Sequence, residues 1–338
     1  MKRNPLLYTL VLNYCSFEET TGCVEVLRQS RYRNNKIVII DNASPDGSGE
    51  KLHTEFPEIE YLQLPKNAGY AGGNNYGIVQ ALKNNADFVF IVNPDARIEA
   101  NTQTLLVNAL RADSRRAAAM PLQLQPHGEE IDPMVCGLLK KNGYSSTLSE
   151  LKTDHAWLPL ESVYGAALLL SASALNEVGL FDPLYFCYVE ELDLCRRFRH
   201  FGYSLGMVPK AIAYHNRPYI YQDAADKMQA MRKYLLKRNR YLFALKEPRQ
   251  NFKANVLAVL TLLQKSFFSA IRQPDFRDLC DTAKIITWLT SNFWKIKKNR
   301  ESDLKCPKNR YFFHSVIVLG KIGVLDKIFD FSIISNFF

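Results

Sequence analysis

The chain has 338 residues, 47% hydrophobic and 23% charged, the balance of an ordinary globular protein with room for one large domain plus an appendage, or for two domains. Its seven cysteines (15, 23, 136, 187, 195, 280 and 306) form no CxxC pair, and an odd count does not suit a disulfide framework, so a reduced, cytosolic chain is expected. The net charge of +9 hides an asymmetry: residues 1–226 carry 21 basic against 26 acidic side chains, whereas residues 227–310 carry 20 against 6.

Polar MKRNP leads straight into the strand-like Tyr8 to Tyr14, so no signal peptide is expected. No run approaches the ~20 apolar residues of a membrane span. From residue 8 to 90 the pattern alternates: TLVLNY, a helix from about Glu18, KIVIIDN, a helix capped at Ser48, IEYLQL, a helix across Asn74 to Asn85, then DFVFIV. Strands alternating with amphipathic helices predict an α/β architecture, a mostly parallel sheet with helices on both faces.

The run Phe88 to Val92 is apolar without a break and stops at Asn93-Pro94-Asp95, the pattern of a strand in the middle of a sheet. Ligands of open α/β sheets sit beyond the carboxyl ends of the strands, which makes Asp95 the first candidate functional acid. The alternative is a turn aspartate that satisfies its own backbone. Asp41 holds the same place at the end of the second strand, and two carboxylates at neighbouring strand ends point to a nucleotide site. After the third strand comes the stretch Asn67 to Gly77, NAGYAGGNNYG. It reads as a glycine-rich loop in which Gly69, Gly72 and Gly73 let the backbone approach a ligand, opening a helix whose first amides suit a phosphate. Glycines needed only for close packing are the other reading. A GxGxxG after the first strand is absent, which argues against a dehydrogenase.

AAAMPLQL, after Ala117, reads as a further strand, and Pro126 to Pro159 as a long loop with little period, of the kind that serves as a lid. His155 and Trp157 within it are candidates for an acceptor pocket or for simple packing. A buried strand, Val163 to Leu170, and a Ser171-capped helix to Val178 follow. Then Glu190, Glu191 and Asp193 crowd the first turn of another helix. The helix dipole favours acids there, but three within four residues repel one another and raise a pKa, a useful property in a general base. The strand YSLGMVPKAIAYH ends on His215, a candidate metal ligand through a neutral ring nitrogen.

Taken in order, VLNY, IIDNASPDGS, KNAGYAGGNNYG, FIVNPDARIE, YGAALLLSASALNEVGLFD, FCYVEELDLCRRFRHFGY, YH and KRNRYLF resemble the motifs of family 2 glycosyltransferases, in the rhamnosyltransferase-like branch that builds bacterial surface polysaccharides. The resemblance runs from Leu10 to about Leu245. It implies the A-type glycosyltransferase (GT-A) fold and a dTDP- or UDP-sugar donor lined by Asn13, Asp41, Asn67, Gly69, Gly72, Gly73, Asn74, Asn93 and Asp95, with Asp41 on the nucleobase. It also implies Mg²⁺ or Mn²⁺ held by Asp95 with the help of His215, and Glu191 as catalytic base with Glu190 and Asp193 beside it. Asn93-Pro94-Asp95 departs from the family's acidic triplet, leaving one side-chain carboxylate for the cation. The implied reaction is one inverting displacement that moves a sugar onto a glycan on a lipid carrier. Two other readings compete: a non-catalytic nucleotide-sugar-binding scaffold, and a nucleotidyltransferase. Against the last, the first strand leads to Asn13-Tyr14-Cys15-Ser16 with no glycine- and arginine-rich triphosphate loop.

The expected organisation is a catalytic domain over 1–245, with a donor half (1–100) and an acceptor half (101–245), and a basic helical region over 246–338. Aromatic and aliphatic residues such as Phe267, Phe268, Trp288 and Trp294 alternate there with Lys295, Lys297, Lys298 and Arg300. This describes helices lying in a membrane interface, peripherally on the inner face of the cell membrane. A helical appendage packed on the catalytic domain, or on a twin subunit, is the alternative. No nucleic-acid module accompanies the basic block, so nucleic acid is not expected as a partner.

Overall fold

The computed structural model describes residues 4–151, 155–215, 225–272 and 276–305. In chain order its strands and helices begin with β1 (Leu7–Asn13), α1 (Phe17–Arg28), β2 (Asn35–Asp41), α2 (Ser48–Glu55), β3 (Glu60–Gln63), α3 (Gly69–Lys83) and β4 (Phe88–Val92). Next are β5 (Ala96–Ile98), α4 (Thr102–Arg111), β6 (Arg116–Leu124), α5 (Pro133–Lys141), α6 (Leu148–Leu151), β7 (Leu158–Leu160), β8 (Ala167–Ser171), α7 (Ala172–Val178), α8 (Glu190–His200) and β9 (Ser204–His215). Four helices follow: α9 (Ala225–Leu245), α10 (Phe252–Arg272), α11 (Phe276–Ser291) and α12 (Phe293–Asp303).

The sheet runs β3-β2-β1-β4-β8-β6-β9-β5, with β7 beside β9. β1 to β4 pair in parallel, as the alternating sequence pattern predicts. Beyond β4 the sheet is mixed: β8 is antiparallel to β4 and β6, and β9 is parallel to β6 but antiparallel to β5 and β7. The carboxyl ends of β1, β2, β4, β6 and β9 and the start of β8 therefore share one edge. All five residues of β4 are buried because each face of this strand is covered. Phe88, Phe90 and Val92 join a cluster with α1, α2 and α4, while Val89 and Ile91 join one with α3, α5, α7 and α8.

Three local expectations change. The glycine-rich stretch is helix rather than loop, since α3 begins at Gly69. A Cβ on Gly73 would meet Leu12 Cδ1 at 2.6 Å, and one on Gly77 would meet Ile40 Cδ1, so these two glycines let the helix lie close on the sheet. Between Pro126 and Pro159 the chain folds into α5, α6 and β7. The Asp132-Pro133 pair starts α5: Asp132 accepts from the Met134 amide at 2.8 Å and Pro133 takes the first helical position. Gly47, in the left-handed region, rather than Ser48 caps α2, and Asp46 Oδ1 accepts from the Ser48 amide at 3.0 Å.

The chain divides into two compact units, the second holding α9 to α12 together with Cys187–Val189. It starts ahead of α9, earlier than the boundary at 245 expected from the sequence. Within it Asn239 Nδ2 donates to the carbonyls of Cys187 and Tyr188 at 2.8 and 2.7 Å, and buried Lys246 pairs with Asp303 at 2.9 Å. Residues 306–338, the end of the expected basic region, lie outside the described residues. Among the described residues no helix is long and apolar enough to cross a membrane.

Candidate active site

Asn13 and Asp41 end adjacent parallel strands and face each other in register. Asn13 Nδ2 donates to Asp41 Oδ1 at 2.7 Å and to Ser48 Oγ at 3.0 Å. Asp41 Oδ1 also accepts from Ser44 Oγ at 2.6 Å, and Oδ2 from the Ser44 amide at 3.0 Å and Gln63 Nε2 at 2.8 Å. Asp41, expected to face a nucleobase, is thus buried with both oxygens engaged, and its charge-assisted bonds hold the 41–48 turn. Ser44 and Gln63 were not foreseen. The Asp-x-x-Ser spacing of the turn was the available signal for Ser44.

The start of α3 is tied to this turn. Asn42 Oδ1 accepts from the Ala68 amide at 2.9 Å, Asn42 Nδ2 donates to Asn67 Oδ1 at 2.9 Å, and that oxygen accepts from the Gly69 amide at 2.8 Å. Gly69 has a φ of +69°, and a Cβ there would run into the Phe186 carbonyl, so glycine is required by both backbone and space. Asn74, a candidate donor ligand, is buried in α3 and donates to the Tyr70 carbonyl at 3.0 Å. Its place, like that of Gly73, is set by packing, whereas Gly72 meets only Ala68 Cβ, at 2.7 Å.

At the end of β4 the Asn93 amide donates to the Ala166 carbonyl at 2.9 Å, fixing the start of β8 beside the Asn93-Pro94-Asp95 turn. On the β5–β9 ladder Ala96 lies opposite His215. This brings His215 Nε2 to 3.4 Å from Asp95 Oδ2, while Nδ1 lies 3.7 Å from Oδ2 of buried Asp132. Asp132 was not foreseen. An imidazole oriented by one carboxylate and facing another is a common arrangement in metal sites. Among the described residues no group of three or more such ligands is arranged to hold an ion. One carboxylate and one imidazole fit a hard divalent cation that takes its other oxygens from a diphosphate and water.

The acidic helix enters the same edge through a strained approach. Phe186, Tyr188 and Val189 have φ of 63°, 72° and 75°, a conformation that costs bulky residues roughly 1–3 kcal/mol each. The three acids then take three different environments. Glu190 is 2% exposed and its Oε2 has no hydrogen-bond partner; burial, then the charge of Glu191, raises its pKa well above the ordinary carboxylate value. Glu191 is half-buried. Its Oε1 lies 2.5 Å from where a Cβ on Gly165 would sit, as does the Tyr70 hydroxyl, which donates to the Gly165 carbonyl at 2.9 Å. Asp193 is fully buried and accepts from Arg196 at 3.0 Å, Arg197 at 2.9 Å and the Tyr185 hydroxyl at 3.2 Å, which makes it the anchor of α8. Tyr70 and Gly165 escaped the sequence reading because neither carries a charge or a motif of its own.

Other candidates leave the site. His155 is exposed, and Trp157 packs against Gly206 with Arg116 over its ring at 4.3 Å. Burial pushes the thiols of Cys23 and Cys195 up to about 12, so neither supplies a thiolate near neutral pH.

Residues 10–133 match the family described as Glycosyl transferase family 2. Over that stretch the chain is similar to family 2 glycosyltransferases. The chain is 27% identical over 212 residues to the low-salt glycan biosynthesis hexosyltransferase Agl10 of Haloferax volcanii, a match covering 61% of this chain and 66% of the relative. It is 25% identical over 203 residues to an N-acetylglucosaminyl-diphospho-decaprenol L-rhamnosyltransferase of Mycobacterium tuberculosis, covering 54% and 66%. Both matches span just under two thirds of the relative. Among solved structures, the mannosyltransferase PcManGT from Pyrobaculum calidifontis, in complex with GDP-Man and Mn²⁺, superposes with a TM-score of 0.54 at 13% identity, covering 95% of this chain and 89% of that one. GalNAc-T7 with UDP, GalNAc and Mn²⁺ gives 0.52 at 13% identity, covering 73% and 51%. The chain therefore has the GT-A fold.

Proposed function

We propose that this protein is a family 2 glycosyltransferase that moves a sugar, rhamnose or a similar hexose, from a dTDP- or UDP-linked donor to a hydroxyl of a growing, lipid-linked cell-surface glycan. The relatives' names, a glycan-biosynthesis hexosyltransferase and a rhamnosyltransferase, support the substrate class. The observation that carries the chemistry is the course of the chain around Gly165. Glu191 abuts Gly165, and the next residue, Ala166, holds Asn93, two positions before Asp95. This course of the chain supports Glu191 as the base and Asp95 as the carboxylate on the diphosphate side, at one edge of one sheet.

Asp95 and His215 are the residues that would hold Mg²⁺ or Mn²⁺, which when bound supplies positive charge against the diphosphate. The start of α3 and the 41–48 turn line the donor side. Asn13, Asp41, Asn42 and Asn67 keep those loops in place, since their polar atoms are spent on one another and on loop amides. Glu191 takes the proton of the acceptor hydroxyl. The oxygen bonds to the anomeric carbon from the face opposite the diphosphate, the bond to the diphosphate breaks with its electron pair, and the configuration inverts. Burial and the charge of Glu191 disfavour ionised Glu190, so half-buried Glu191 is the better placed base. A lipid-linked acceptor places the protein at the inner face of the cell membrane, with the basic C-terminal helices as the attachment.

The test is a thermal-shift and transfer screen of nucleotide sugars with and without Mn²⁺. A ligand at a hundred times its Kd stabilises by about 2.7 kcal/mol. One donor is expected to raise the melting temperature and to be consumed with an acceptor; no shift with any nucleotide sugar would overturn the reading.

A further inference from the structure

Helix α10 is apolar on two faces. One buries Val259 and Leu263 inside the helical unit, with Asn255 donating from the same side to the Leu245 and Glu247 carbonyls. The other carries Leu257, Leu260, Phe267 and Phe268, each between 44% and 66% exposed. At 3.6 residues per turn these four fall within an arc of roughly 100°, so they form one stripe rather than scattered contacts. Exposed Lys253 lies in the stripe near its start and exposed Lys265 on its flank. A globular helix needs one apolar face for its core, and a contiguous exposed patch of this kind marks an interaction surface.

We propose that the Leu257–Phe268 stripe of α10 lies in the interface of an anionic lipid bilayer, apolar side chains among the acyl chains and lysines at the headgroups. Charge selects this occupant, for residues 227–310 carry 20 basic against 6 acidic side chains, and a field of that sign is attracted to anionic lipid and repelled by a second copy of itself. No described helix can cross the bilayer, so α10 lies along the surface. The inference deepens the membrane partnership proposed above. It is read without sugar transfer, so it can fail while the transferase reading stands.

The experiment is co-sedimentation of the full chain with vesicles of phosphatidylcholine alone and with added phosphatidylglycerol. Wild type is expected to bind the anionic vesicles, less as salt rises, and a Leu260→Glu/Phe268→Glu double variant to lose at least tenfold in partition. Leu262→Glu is the matched control: Leu262 is also exposed but lies beyond the buried face, outside the arc, and this variant should bind like wild type. Circular dichroism and donor-induced thermal shift establish that each variant is folded. Equal binding by the double variant, loss in the control as well, or no vesicle binding by wild type would each overturn the proposal. So would a wild-type dimer that the double variant converts to monomer, which would make the stripe a contact between copies.

Discussion

Glu190 and Glu191 are consecutive on α8 yet live in opposite surroundings. Glu190 is buried with an unpartnered Oε2, and Glu191 is half-buried against Gly165. In that pair burial and the neighbouring charge disfavour ionisation of the first carboxyl, and the second is the proposed base. Glu191→Gln is expected to lower kcat by about 10²- to 10⁴-fold, the usual worth of a general base, with donor affinity by calorimetry unchanged. Glu190→Gln should cost less than tenfold; the reverse ranking would move the base by one position.

Glu190 also makes a stability prediction with a definite sign. Its folded pKa is raised above the ordinary 4.5 by burial and by Glu191, so the folded state binds more protons than the unfolded chain between those two values. The stability it contributes is present below about 4.5 and is lost as pH rises through the folded value. Glu190→Gln removes that dependence. Its melting temperature should match wild type near pH 4 and exceed it at pH 8, and an equal difference at both pH values would contradict the assignment.

Gly165→Ala tests the contact that aims Glu191. The new Cβ would sit 2.5 Å from both Glu191 Oε1 and Tyr70 Oη, so one of them must move. Displacing a base by about 1 Å can cost on the order of 10²-fold. The expected result is a fall in kcat with donor Kd and melting temperature little changed.

Asp95 and Asp132 face the two nitrogens of one imidazole, and their substitutions should differ in kind. Asp95→Ala is expected to weaken donor binding in the presence of Mn²⁺ and to leave the fold intact. Asp132→Asn keeps a good helix cap but removes the charge behind His215, so donor affinity in Mn²⁺ should drop about 10- to 100-fold, as for other partners that orient a ligating histidine. Calorimetry that shows normal affinity for Asp95→Ala would return it to a turn residue.

Asp193→Ala should act on the fold. It leaves two buried guanidinium groups, Arg196 and Arg197, without their carboxylate, a loss of roughly 3–5 kcal/mol. Chemical denaturation should show it directly, and residual folded protein should keep near-normal turnover. A stable variant with a lost kcat would place Asp193 in the chemistry instead.

Hydrophobic period and turn chemistry in the sequence alone determined the parallel half of the sheet, the buried central β4, the acids on the first turn of α8 and the strand that delivers His215. These are local signals, since a strand covered on both faces must be apolar throughout and a helix that packs must repeat. The start of α3 at Gly69 was hidden because glycine is a poor helix former by propensity, and only the contacts of Gly69 with Phe186, Gly73 with Leu12 and Gly77 with Ile40 explain why side chains at these positions would not fit. Asp132 behind His215, Gly165 beneath Glu191, and the separate environments of Glu190, Glu191 and Asp193 were decided by tertiary structure. Each depends on segments distant in the chain meeting at one sheet edge, and burial and partner charge, which set what a carboxylate can do, exist only once they have met.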